Sequence, residues 1–89
     1  MKVEIFRLAG EPIVVEVKDG GTVKDVFSAE GSGKVLGQEG TLMEAAEDLY
    51  GGIDRLGSLR VNGAAAALET VVQPGAIILI IPKVEGGRN

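Results

Sequence analysis

The sequence contains neither cysteine nor histidine. Disulfides, thiol nucleophiles, histidine acid–base catalysis and most zinc sites are therefore excluded for this chain, and we expect no metal site. Aromatic residues are also scarce: Phe6, Phe27 and Tyr50 are present, and there is no tryptophan. A hydrophobic core must therefore be built from aliphatic side chains, and few rings are present to stack on nucleic-acid bases.

The chain also lacks a basic patch and a long hydrophobic run. Its formal net charge is −4, and its nine basic residues are dispersed singly, so we expect no nucleic-acid partner. No apolar segment approaches the ~20 residues that cross a bilayer, and no signal-peptide pattern precedes the first strand. We therefore expect a cytoplasmic protein without a membrane partner. A length of 89 residues and a hydrophobic content of 45% indicate a single globular domain.

The N-terminal segment predicts two strands. Residues 2–8, "KVEIFRL", are rich in β-branched and aromatic side chains. After "AGEP", the alternation in "IVVEVK" places Ile13, Val15 and Val17 on one face, which is typical of a half-buried strand. The short connection between the two strands favours an antiparallel hairpin.

Two helices are predicted next, each opening on a capping box. Thr22 with Asp25 begins a short helix over residues 23–30, which Gly31 can end. Thr41 with Glu44 begins the second helix, and Gly51-Gly52 is its stop signal. Its apolar stripe comprises Leu42, Ala45, Ala46, Leu49 and Tyr50. Glu44, Glu47 and Asp48 fall opposite this stripe, which favours a solvated face over catalytic carboxylates.

The glycine-rich segment Gly31–Gly40 invites a phosphate-loop interpretation, but the spacing does not match. Ser28 stands where the first glycine is required, and Val35 where serine or threonine is required. The segment also follows a helix and not a strand. We therefore expect a flexible surface loop.

The C-terminal half predicts a strand, a turn and a central strand. "SLRVNG" (residues 58–63) reads as a strand ended by an Asn-Gly turn, and "QPG" predicts a type II turn. "AAAALETVV" between them fits a short strand or a helical turn. Residues 77–81 are all large and apolar, which indicates a central strand with both faces covered or nearly so. Placing it parallel to the first strand gives an α+β fold.

Three segments resemble the ubiquitin-like β-grasp family, and within it the sulfur-carrier branch, which includes the molybdopterin synthase small subunit and the thiamin sulfur carrier. They are "DGGTVKDVF", "RVNG" and, most specifically, "LETVVQPGAIILIIPKVEGG", in which Pro82, Val84, Gly86 and Gly87 match the family ending. The resemblance implies a mixed sheet of four to five strands with the C-terminal strand central, one main helix and a second short helix. Residues 1–84 would form the domain and residues 85–89 a flexible tail.

The resemblance also implies a function at Gly87. An ATP-dependent activating enzyme would adenylate the terminal carboxylate, for transfer as a thiocarboxylate to a sulfur-accepting biosynthetic enzyme or for conjugation to target proteins. Pro82 and Val84 would position the tail. Arg88 and Asn89 extend past the second glycine, as in ubiquitin-type precursors, which implies a processing protease. The chain itself would not be an enzyme and would hold no cofactor.

The sequence departs from the family at two further places. Pro74-Gly75-Ala76 replaces the usual Asp-Gly-Asp turn, and Gly31–Gly40 looks like an insertion. The alternative function is a non-reactive β-grasp module that binds a protein partner and carries a disordered tail. Leu59 and Val61 share one face of the third strand, where they would contribute to a partner surface or to the core.

Overall fold

A five-stranded mixed sheet organises the computed structural model, which describes residues 1–8 and 10–82. The strands are β1 (Lys2–Arg7), β2 (Ile13–Glu16), β3 (Gly57–Val61), β4 (Ala64–Ala66) and β5 (Ile77–Pro82). The helices are α1 (Val23–Phe27) and α2 (Leu42–Tyr50), with 3₁₀ helices at Ser32–Leu36 and Ile53–Arg55. This α+β, β-grasp-like architecture confirms the predicted fold class.

The C-terminal strand lies in the middle of the sheet, whose order is β2-β1-β5-β3-β4. β1 pairs with β2 in the antiparallel direction and with β5 in parallel, with Ile5 opposite Ile78. β5 also pairs antiparallel with β3, where Leu59 lies opposite Ile80. The predicted hairpin and the central, parallel C-terminal strand are therefore confirmed.

The hydrophobic core lies between one face of this sheet and the helices. Ile5, Ile78 and Ile80 supply the sheet side, while Val26 and Phe27 of α1 are fully buried against it. The second face of β5 is different: Ile77 is 40% exposed, and its neighbours on that face are half-buried. The expectation that both faces of the apolar run are covered, or nearly so, holds for the inner face alone, because the core cluster that contains Val26, Phe27 and Leu42 includes Ile78 and Ile80 but none of the residues on the other face.

Both capping boxes are present as predicted, and α2 ends at the predicted Gly51 stop signal, but α1 does not reach its predicted end. Thr22 and Asp25 cap α1, and Thr41 and Glu44 cap α2, with reciprocal side-chain and backbone hydrogen bonds. α1 ends at Phe27, three residues earlier than predicted. The predicted stripe on α2 is buried only at its start, because Leu49 and Tyr50 are 48% and 41% exposed at the end of the helix.

The Gly31–Gly40 segment is folded and contains a buried polar anchor, Ser32, so the expectation of a flexible loop was wrong. The Ser32 hydroxyl is positioned to donate to the carbonyl of Ala29 (2.7 Å) or Phe27 (3.0 Å), and it accepts the Leu42 N–H (2.7 Å). One hydroxyl thus joins the carboxyl end of α1 to the first residue of α2. α1 ends early because the chain turns at residues 28–31, and this turn lets the Ser32 hydroxyl reach the carbonyls of Phe27 and Ala29.

The turn between β3 and β4 and the turn before β5 agree with their sequence signals. Asn62 and Gly63 both have positive φ (51° and 88°), as a two-residue hairpin turn requires. Gly75 has φ 80°, and the Ala76 N–H donates to the Gln73 carbonyl, which closes the Pro-Gly turn. The ambiguous segment after Gly63 begins with the short edge strand β4.

The two faces of β5 give a test of the sheet's orientation. Ile78→Thr removes apolar contacts and buries a hydroxyl, so we expect a loss of about 3 kcal/mol in the free energy of unfolding. Ile77→Thr makes the same chemical change on the open face and should cost under about 1 kcal/mol. Denaturant unfolding of both variants measures the difference. Equal losses would contradict the assignment of faces.

Candidate functional site

The candidate site is the end of β5, where the chain leaves the sheet toward the Gly-Gly pair. Pro82 is the last described residue, is exposed, and lies opposite Gly57 at the start of β3. The other predicted tail residues, Val84, Gly86, Gly87, Arg88 and Asn89, lie outside the described residues. The structure therefore defines the base from which they extend, which is the central strand of the sheet.

An open apolar surface lies beside this exit, on the sheet face opposite the core. Its centre is formed by Ile77, Leu79 and Ile81 of β5, with Phe6 next to Leu79 on β1. Val14 on β2 extends it and is 60% exposed. We call these five residues the outer apolar face. Partly exposed aliphatic side chains on adjacent strands are a common feature of protein-binding surfaces.

Charged residues lie both within and beside the outer apolar face. Glu4 on β1 lies between Ile77 of β5 and Val14 of β2, so a carboxylate interrupts the apolar surface there, and Arg60 on β3 lies opposite Leu79. The Arg60 guanidinium donates to the Gly63 carbonyl at 3.2 Å, which draws it toward the hairpin turn. Apolar side chains mixed with a few charged groups are also found in protein interfaces.

Leu59 and Val61, the residues predicted as a partner surface or as core, lie on the inner face of β3. Leu59 is opposite Ile80 and Val61 is opposite Ile78, and both pack against the hydrophobic core while remaining half-buried. The residues of the outer apolar face were missed by sequence reasoning. Alternation along β5 was the signal that could have identified Ile77, Leu79 and Ile81 as a separate face.

Asn62 anchors the opposite end of β5, and sequence reasoning missed this structural role. Its side-chain Oδ1 accepts the Ile77 N–H at 2.9 Å, and its own N–H donates to the Ile77 carbonyl at 2.9 Å. Asparagine also tolerates the left-handed φ of 51° found here. The Val-Asn-Gly sequence therefore anchors the first residue of the central strand as well as forming the turn.

The carboxylates of α2 do not form a reactive cluster. Glu44 accepts the Thr41 N–H in its capping box, and Asp48 accepts a hydrogen bond from Gln38 at 3.4 Å, while Glu47 is exposed. In the part of the chain that the structure describes, no three acidic side chains are placed to hold a metal ion. These positions support the interpretation of a solvated helix face.

The Gly31–Gly40 segment does not offer a free phosphate cradle. The Gly31 and Gly33 amides both donate to the Gly40 carbonyl at 3.0 Å, and the Lys34 amide donates to the Gly31 carbonyl. Anion-binding loops need backbone amides that point at the ligand. Here these amides donate to carbonyls of the same segment, which agrees with the mismatch between its sequence and the phosphate-loop motif.

A groove of about 350 Å³ lies beside the exit of β5, next to Gly57. Its lining includes Leu59, Ala66 and Leu68, and its polar side chains are Asp54 and Ser58. None of the described residues that line it is basic. Two polar side chains do not make the convergent set that orients a small-molecule substrate.

No family model, curated protein or solved structure matches this chain. No helix within residues 1–8 and 10–82 is long and apolar enough to span a bilayer.

The role of Asn62 can be tested with two substitutions. Asn62→Ala removes the acceptor for Ile77 and strains the left-handed backbone, so it should cost about 1–2 kcal/mol of unfolding free energy. Asn62→Asp keeps an acceptor oxygen and tolerates the same φ, and should stay within about 0.5 kcal/mol of wild type. Chemical denaturation provides the measurement. A destabilisation of Asn62→Asp equal to that of Asn62→Ala would argue against an anchoring role for the side chain.

Proposed function

We propose that the chain is a ubiquitin-like carrier or modifier whose reactive group is the carboxylate of Gly87, exposed when the residues after it are removed. The observation that carries the proposal is the position of β5. The strand that leads to the Gly-Gly pair is held on both sides by β1 and β3. A reactive terminus attached to the central strand is presented from a fixed point.

The spacing between β5 and the glycine pair suits delivery into a partner's active site. Gly87 lies five residues beyond Pro82, so an extended chain can reach up to about 17 Å from the sheet. Glycine has no side chain to obstruct a narrow site and accepts backbone angles closed to other residues. These properties support the choice of Gly86 and Gly87 as the residues that enter the activating enzyme.

The chemistry at Gly87 would require a partner. The carboxylate oxygen attacks the α-phosphorus of ATP, pyrophosphate leaves, and the acyl-adenylate forms. A sulfur or amine nucleophile then attacks the acyl carbon and AMP leaves, which yields a thiocarboxylate, a thioester or an amide. Among the residues described here we find no nucleophile paired with a base, so these steps are assigned to an ATP-dependent activating enzyme, and the acceptor is a target protein or a sulfur-accepting biosynthetic enzyme.

The outer apolar face supports a role for this domain in docking. An activating enzyme must hold the domain while its terminus is adenylated, and the apolar face lies on the same strand that leads to the terminus. Remote contacts of this kind can supply the binding energy that positions a reacting group. The alternative function, a non-reactive protein-binding module, is favoured by the same exposed face.

The intact mass of the protein isolated from its native cell tests the proposed chemistry. We expect a species that lacks the residues after Gly87, together with a species in which sulfur replaces one oxygen or with Gly87 joined to other proteins. Gly87→Ala should reduce these products strongly, because a methyl group restricts the backbone at the reacting position. Gly10→Ala is the matched control, since an added Cβ there meets only ordinary contacts at 3.7 Å or more. An unmodified, unprocessed mass for the wild-type protein would contradict the proposal.

A second experiment separates the carrier from the inert module. Ile77→Lys places a charge on the outer apolar face, opposite Glu4 and outside the core. In the carrier, this variant and Gly87→Ala should both reduce processing and modification in the native cell. In an inert module, Ile77→Lys should weaken partner association, measured by quantitative cross-linking, and Gly87→Ala should have no effect. Unchanged modification in Ile77→Lys would exclude this face from activation.

A further inference from the structure

Gly57 makes an unusually close backbone contact at the point where β5 ends. Its φ is 145°, which L-residues with side chains rarely adopt. A Cβ added there would lie 2.0 Å from the carbonyl oxygen of Ile81, 2.8 Å from its carbonyl carbon and 3.0 Å from the Cα of Pro82. All three are backbone atoms, so no side-chain rotation can relieve the overlap. A side chain at position 57 would force the start of β3 away from the end of β5.

Gly57 differs in this respect from the other described glycines. Gly20, Gly63 and Gly75 also have positive φ, but an added Cβ at each meets nothing within 4 Å. At Gly40 and Gly52 the close atoms belong to the ends of Glu and Asp side chains, which can move. Among the twelve glycines described, Gly57 is the one where a Cβ comes nearer than 3.0 Å to the backbone. The requirement for glycine here is therefore steric as well as conformational.

The contact also joins the hydrophobic core to the end of the central strand. Leu56, directly before Gly57, is 5% exposed and belongs to the hydrophobic core. Ile81 and Pro82 end the central strand, and Pro82 cannot donate a backbone hydrogen bond to β3. At this end the ladder has lost a donor, so the separation of the two chains depends on how closely Gly57 approaches Ile81.

We propose that Gly57 is a positioning residue, which sets the place and direction in which the chain leaves the sheet toward Gly87. The proposal rests on the proposed function of Gly87 as the reactive terminus. Displacing Ile81 and Pro82 moves the origin of the segment relative to the outer apolar face, by which the activating enzyme would hold the domain. A displacement of about 1 Å in a reacting group can cost on the order of 100-fold in rate.

Gly57→Ala and Gly63→Ala form the matched pair of variants for the test. Both place a methyl group at a positive φ, but only Gly57→Ala meets backbone atoms. Two measurements are made on each protein: N–H residual dipolar couplings of residues 83 and 84 relative to those of the sheet, and the modified fraction by intact mass from the native cell. We expect Gly57→Ala to change these couplings and to lower the modified fraction about tenfold or more. Gly63→Ala should match wild type in both, despite its conformational cost.

The outcomes distinguish the role of Gly57 from the proposed function of Gly87. Unchanged couplings at residues 83 and 84, or an unchanged modified fraction, in folded Gly57→Ala would overturn the role of Gly57. An unmodified wild-type protein would instead contradict the proposed function, while the couplings would still report whether Gly57 sets the exit. If Gly57→Ala does not fold, Pro82→Gly loosens the same exit at an exposed position. That variant should remain folded, although the greater freedom of its unfolded chain lowers its free energy of unfolding. It should lose modification, and full modification would refute the proposal.

Discussion

The fold depends on the insertion of β5 between β1 and β3, with hydrogen bonds on both sides. A parallel pair cannot be closed by a tight turn, so the chain between β1 and β5 must cross over the sheet. The helices form this crossover and bury the inner side chains of β5, including Ile78 and Ile80. The first and last strands are therefore held together only when the intervening chain has folded. The stability of the domain and the geometry of the C-terminal exit thus both depend on the pairing of β5 with β1 and β3.

Covering one face of the sheet leaves the other open, and this has an energetic consequence. The side chains on this open face, Ile77, Leu79 and Ile81, leave part of their apolar surface in contact with water. Burying each exposed CH₂ group would add about 0.8 kcal/mol to the free energy of unfolding. Folding alone does not require large aliphatic side chains there, since a solvated sheet face is usually polar. Their presence on the strand that leads to the glycine pair connects the surface to the terminus. A partner that covers this face would be held close to the point from which the tail extends.

Local signals in the sequence predicted the parts of the fold that local interactions determine. Thr22 and Thr41 begin their helices because each caps a backbone amide three residues away, and Asn62-Gly63 forms its turn because both residues adopt positive φ. Ser32 could not be predicted in this way. Its hydroxyl accepts from Leu42, ten residues along the chain, and no periodicity encodes such a contact. Of the candidate site, the central position of β5 was predictable, whereas the contact between Gly57 and Ile81 depends on pairing between distant segments.

The high glycine content of the chain reflects the geometry of its backbone. Nine of the twelve glycines that the structure describes have positive φ, and Gly21 and Gly33 are too crowded to accommodate a Cβ without a shift of their neighbours. Backbone geometry therefore accounts for nearly all the glycine in the described chain, including the segment that resembled a nucleotide loop. A high glycine content is thus no sign of function in this protein. The Gly86-Gly87 pair is distinguished by its position alone, five residues or fewer beyond a strand that is fixed on both sides. That position makes the pair the candidate reactive group, and it makes the geometry at Gly57 relevant to whatever the pair does.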